Sequence, residues 1–115
     1  MAATILIFGE LKGDTNGNFI LKAWDADGTQ VLKALGNYHP HNNVPTWEVD
    51  SIRITFDNWD AVNGGDSFTG ETNGNRLSFM TTRGVSVSGN ITHAENEPVQ
   101  TISGKINWER LSENL

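Results

Sequence analysis

Glycine-bearing turn signals constrain this chain more than any other feature. They stand at Asn16-Gly17, Asp27-Gly28, Asn63-Gly64-Gly65, Asn73-Gly74 and Ser88-Gly89-Asn90, with short apolar segments between them. Short strands punctuated in this way predict an all-β fold, a sandwich or a barrel. A second set of glycines falls inside the apolar segments. They occur in Leu6-Ile7-Phe8-Gly9-Glu10, Ser67-Phe68-Thr69-Gly70-Glu71, Val87-Ser88-Gly89-Asn90 and Ile102-Ser103-Gly104-Lys105. Glycine within a strand is common where a sheet bends sharply. The expectation is therefore a curved antiparallel sheet, with a β-barrel favoured over a flat sandwich. The spacing is too irregular for a solenoid.

Strands are predicted over residues 3–10, 19–24, 46–56, 67–72, 77–82, 85–91 and 99–108. In the first, Ile5, Ile7 and Gly9 share one face, and Thr4, Leu6 and Phe8 the other. Both faces read as apolar, as in a strand covered on two sides. The segment 46–56 changes phase: Trp47 and Val49 are odd, whereas Ile52, Ile54 and Phe56 are even. A strand of period two needs a bulge to do this, expected near Asp50-Ser51. One short helix is predicted over 29–35, with Asp27 as N-cap and Gly36 after its end. A turn followed by a strand is the alternative there.

The chain of 115 residues fits one domain, 1–115, with a net charge of -6 and a pI of about 4.8. Such an acid surplus argues against nucleic acid and anionic membranes as partners. There are no cysteines, which excludes disulfides and thiolate chemistry. No apolar run has the length of a membrane span. The N-terminus lacks the basic region and cleavage site of a signal peptide.

Candidate chemical groups are few. His39 and His41 flank Pro40 in a loop pattern, and His93 stands near Glu95 and Glu97. Asp25-Ala26-Asp27-Gly28 begins like a calcium loop, but the closing position, twelve residues along, is Gly36 rather than Glu. The acids Asp57, Asp60 and Asp66 suit turns and caps, and Glu48 and Asp50 suit the solvent side of a strand. No metal or other cofactor is expected. No nucleophile elbow or phosphate loop is present, so no catalytic role is expected. Of the tryptophans Trp24, Trp47, Trp59 and Trp108, Trp59 is the best candidate for stacking on a sugar, because Asp57-Asn58-Trp59-Asp60 is polar and loop-like. Asn90-Ile91-Thr92 is a glycosylation sequon without an expected role.

Several segments, in order, resemble the haemolysin-coregulated protein family, the tube component of type VI secretion systems, whose fold is related to phage tail tubes. The opening Ile7-Phe8-Gly9-Glu10-Leu11-Lys12-Gly13-Asp14-Thr15 is similar to the family's first strand and the turn after it. The helix candidate and Gly36, His39 match the family's short helix and following turn. Ser51-Ile52-Arg53-Ile54-Thr55-Phe56 looks like the next strand. The segments Asn75-Arg76-Leu77-Ser78-Phe79, Val85-Ser86-Val87-Ser88, Glu97-Pro98-Val99-Gln100-Thr101-Ile102 and Lys105-Ile106-Asn107-Trp108 are similar to the closing strands.

The resemblance implies a non-enzymatic structural subunit, a homo-oligomer that self-assembles into a ring, tube or particle. It would be made in the cytoplasm and assembled into an exported or viral particle. Because an open sheet has two free edges, the first and last strands are the expected contact, with Phe8 and Trp108 as anchors beside Ile7 and Ile106. A small lectin or carbohydrate-binding module using Trp59, Asp57, Asn58 and Asp60 is the alternative, with a glycan as partner. A barrel carrying an apolar ligand is a third reading.

Overall fold

The computed structural model describes residues 4–14, 16–39, 47–92 and 99–111. Its strands are β1 (Ile5–Gly13), β2 (Asn18–Trp24), β3 (Gln30–His39), β4 (Glu48–Phe56), β5 (Gly64–Asn73), β6 (Arg76–Thr81), β7 (Ser86–Asn90) and β8 (Gln100–Arg110). They close into an antiparallel barrel in the order β1-β2-β3-β8-β5-β6-β7-β4, and β4 returns to β1. The preference for a barrel over a flat sandwich holds.

The strand order contains a repeat. β1, β2 and β3 form a meander, and β4 comes back beside β1; β5, β6 and β7 form a second meander, and β8 comes back beside β5. Each half is thus a Greek key, its fourth strand lying next to its first. Gly9 on β1 and Gly70 on β5 occupy matching places. A Cβ on Gly9 would meet the carbonyl oxygen of Lys22 on β2, and a Cβ on Gly70 that of Ser78 on β6. Both strands coil inward there, and no side chain has room.

The bulge expected in β4 is present. Gly9 pairs with Ile52 and Leu11 with Val49, so β4 carries one residue more than β1 across this step. Asp50 and Ser51 both face solvent, while Val49 and Ile52 are buried.

The helix expected over 29–35 is not formed, and those residues belong to the turn before β3 and to β3 itself. Two local facts explain it. The carboxylate of Asp25 accepts the N–H groups of Asp27 and Thr29 at 2.9 and 3.0 Å. It thereby folds a hairpin loop with Gly28 at φ 82°. The following residues then pair with both β2 and β8, satisfying backbone groups that a two-turn helix would leave half unpaired. A second register shift, between Ala23 and Trp24 of β2, leaves Val31 as an extra residue of β3 and buries Val31 and Leu32 together, whereas Leu35 faces outward. Among the described residues the only helical turn is a 3-10 turn, Trp59–Val62.

Aromatic rings fill one end of the barrel. Tyr38 and Trp47 stack at 3.8 Å, Phe19 lies 5.4 Å from Trp47, and Phe68 lies 4.4 Å from Phe79. Burial pushes the Tyr38 hydroxyl up, and the nearby charge of Asp14 adds to the effect. At the other end the 3-10 turn lies over the barrel, burying Ala61 and Val62.

Candidate functional site

Alternation along a strand places successive side chains inside and outside the barrel. It therefore separates the four expected interface residues. Ile7 is 7% exposed, Ile106 2% and Trp108 2%; all three belong to the core. Phe8, on the outer face of β1, is 51% exposed, and its neighbour Leu6 is 46% exposed. The outer side of the first half of β1 thus presents two half-exposed apolar side chains, followed by Glu10 and Lys12. The expected edge contact is also corrected: β1 lies between β2 and β4, and β8 between β3 and β5, so neither strand has a free edge. Of the anchors expected on the two strands, Phe8 alone stands at the surface.

Around Phe8 the outer wall forms a site. Phe8 is paired with Trp24 on β2 and with Arg53 on β4. On the β2 side is a cleft of about 610 Å³, lined by Leu6, Phe8, Glu10, Trp24, Asp25 and Asp50. On the β4 side is a second cleft, of about 550 Å³, lined by Phe8, Asp50, Arg53, Arg76, Ser88 and Asn90. The β4 bulge joins them, because it turns Asp50 outward into both. The first cleft is bordered by the carboxylates of Glu10, Asp25 and Asp50, with no lysine or arginine on its wall; the second is bordered by the guanidinium groups of Arg53 and Arg76 together with Asp50. Glu10 lies 3.9 Å from Lys12, an exposed pair of little energetic weight. Among the described residues Arg53 and Arg76 form no ion pair.

A second apolar patch lies further along the same wall. Ile20 on β2 pairs with Leu35 on β3, and they are 44% and 51% exposed. A cleft of about 530 Å³ opens beside them, reaching Lys12, Asp14 and Asn18.

The residues considered for sugar binding sit at the lidded end of the barrel. The side chain of Asn58 accepts the N–H of Asp60 at 3.0 Å and so caps the 3-10 turn. Trp59 is half-buried: Phe56 meets it edge-on at 4.9 Å, and the Arg110 guanidinium lies 5.1 Å from its ring centre. Its ring is engaged within the fold rather than offered as an open platform, while Asp57 and Asp60 are exposed. His39 is exposed on β3, whereas His41 and His93 lie outside the described residues. Among the described residues no group of three or more His, Asp or Glu side chains could hold a metal ion.

Arg83, in the turn between β6 and β7, ties this end together. Its guanidinium donates to the carbonyls of Asp60, Asn63 and Gly65 at 3.1, 2.9 and 3.0 Å. Its backbone N–H donates to the Asp66 carboxylate at 3.1 Å. Burial alone would push the Asp66 carboxyl up. Hydrogen bonds from the Ser67 and Arg83 N–H groups, the Thr81 hydroxyl and the Arg83 side chain outweigh it and hold the carboxyl below the usual range.

Sequence reasoning missed Leu6, Trp24, Arg53 and Arg76 as surface partners of Phe8, and it missed the Arg83 tie. For the first group the signal was available: each holds an outward position in its strand. Arg83 gave none, because its acceptors lie 17 to 23 residues away in the chain. No protein-family model matches the chain, and no curated protein or solved structure matches it.

Proposed function

We propose that this chain is a non-enzymatic structural subunit that self-assembles into a ring, tube or particle, as in the secretion-tube and tail-tube proteins it resembles. The observation that carries the reading is the outer wall of β1–β3. It presents two separate apolar patches, Leu6 with Phe8 and Ile20 with Leu35. Contiguous exposed apolar surface marks interaction sites in soluble proteins. Two patches let one subunit touch two others, which assembly beyond a pair requires. Contact runs through side chains on the barrel wall, since closure has used up the strand edges.

The test is the mass in solution by size-exclusion chromatography with light scattering at high micromolar concentration. Multiples of 12.6 kDa are expected, and a single-chain mass overturns the reading. A second reading, a small carbohydrate-binding module, draws on the half-buried Trp24 beside Glu10, Asp25 and Asp50 rather than on Trp59. A single-chain mass together with glycan-array binding that Trp24→Ala abolishes would establish it instead.

A further inference from the structure

The two clefts beside Phe8 share a wall and differ in charge: one is bordered by carboxylates alone, the other by Arg53 and Arg76 with Asp50. We infer that this surface is self-complementary: it binds the same surface of a second copy of this chain across a two-fold axis, with Arg53 of each copy entering the Trp24 cleft of its mate. The inference rests on the self-assembly proposed above and names one of its contacts.

A two-fold contact requires that if one residue meets another, the second meets the first on the far side of the axis. The register supplies that relation. Trp24 and Arg53 flank Phe8 on neighbouring strands, in one row across β2, β1 and β4. An axis running along β1 at Phe8 exchanges the two flanks. It brings the guanidinium of one copy over the indole of the other, a favourable cation–π arrangement. Glu10, Asp25 and Asp50 border that cleft, which holds no cation of its own. The two Phe8 rings meet at the centre, where aromatic anchors contribute most.

Charge selects a second copy in this orientation. At a net charge of -6 two copies repel on average, so close approach needs a place where opposite charges face each other. Placing Arg53 over the carboxylate-bordered Trp24 cleft of the mate provides it twice in each contact. An axis across the strands, which lays Trp24 on Trp24 and Arg53 on Arg53, would not.

The experiment compares the wild type with Arg53→Glu and Glu10→Arg by sedimentation velocity over a range of concentrations. Both positions face outward, and circular dichroism checks that the fold is kept. Each variant should weaken self-association on the order of 100-fold, because the two-fold repeats every like-charge clash. An equimolar mixture of the two variants should restore it, since each then supplies the charge the other has lost. Independently of any variant, wild-type association should weaken as salt rises to about 1 M, where charges are screened within a few ångströms.

Variants that associate like the wild type overturn the inference and leave self-assembly standing. Weakened variants that the mixture fails to rescue, or association insensitive to salt, also overturn it. A wild type that stays a single chain at every concentration overturns both.

Discussion

The two Greek keys of this barrel share an inner character and differ on the outside. Gly9 and Gly70 set them in register, and Glu10 and Glu71 follow at the same place. The outward residues before them diverge. β1 shows Leu6 and Phe8, whereas β5 shows Ser67 and Thr69; Trp24 on β2 corresponds to Met80 on β6. Most other outward positions of the second meander are polar, among them Ser78, Ser86, Ser88 and Asn90. Closing a barrel asks nothing of outward positions beyond tolerance of the strand. The apolar wall of the first meander is therefore not required by closure of the barrel.

The largest expected effect falls on what the two halves share. Trp108→Ala, at the joint where β8 meets both β3 and β5, should cost about 3–5 kcal/mol, read by urea unfolding. Trp108→Phe should cost much less, because the indole N–H has no acceptor among the described residues and little is lost with it. A Trp108→Ala variant as stable as the wild type would contradict the placement of this residue in the core.

The next effect tests the equivalence of the halves. Gly9→Ala and Gly70→Ala each force a methyl group against a neighbouring carbonyl, and each should cost about 1–3 kcal/mol. Similar losses support the match, whereas a large loss at one site only would break it.

A smaller effect belongs to the second half alone. Asp66→Asn removes the charge that receives Arg83 and should cost about 1–2 kcal/mol. The pH dependence has a definite sign. The folded carboxyl ionises below its unfolded value, so its contribution is complete above about pH 4 and is lost as the pH falls through the lower folded value. The stability of Asp66→Asn should fall less steeply than that of the wild type in this acid range. Equal slopes would remove Asp66 as the cause.

The smallest effect on stability divides the walls. Phe8→Ser should cost about 1 kcal/mol, for the half of the ring that the wall covers, and Thr69→Ala about 0.5 kcal/mol or less. Only Phe8→Ser should reduce the mass in solution. Equal masses for both variants would end the distinction between the walls.

Much of the barrel was legible in the residues. The turn glycines mark the loops, the mid-strand glycines point to strong curvature, and the phase change around Asp50-Ser51 places the bulge. The recurring Gly-Glu pair was visible, but its meaning as matching sites of two Greek keys was not, because that depends on which strands are neighbours. The segment over 29–35 was misread for a related reason. Seven residues with two adjacent apolar positions fit a short helix as well as a bulged strand, and the partners β2 and β8 decide between them.

Local chemistry and period determined what could be read without coordinates: where the chain turns, that it forms strands, and that Phe8 and Ile7 point in opposite directions. Which of those directions is the interior could not be read, because Phe8 and Trp108 are both large and apolar and alternation treats its two faces alike. The tertiary structure decided it. Closing eight strands into one ring turned Ile7, Ile106 and Trp108 inward, left Phe8 outside between Trp24 and Arg53, and removed the edges on which an assembly by strand pairing depends. Burial follows from the sum of contacts distant in sequence, whereas a residue's own neighbours determine only its side of the strand.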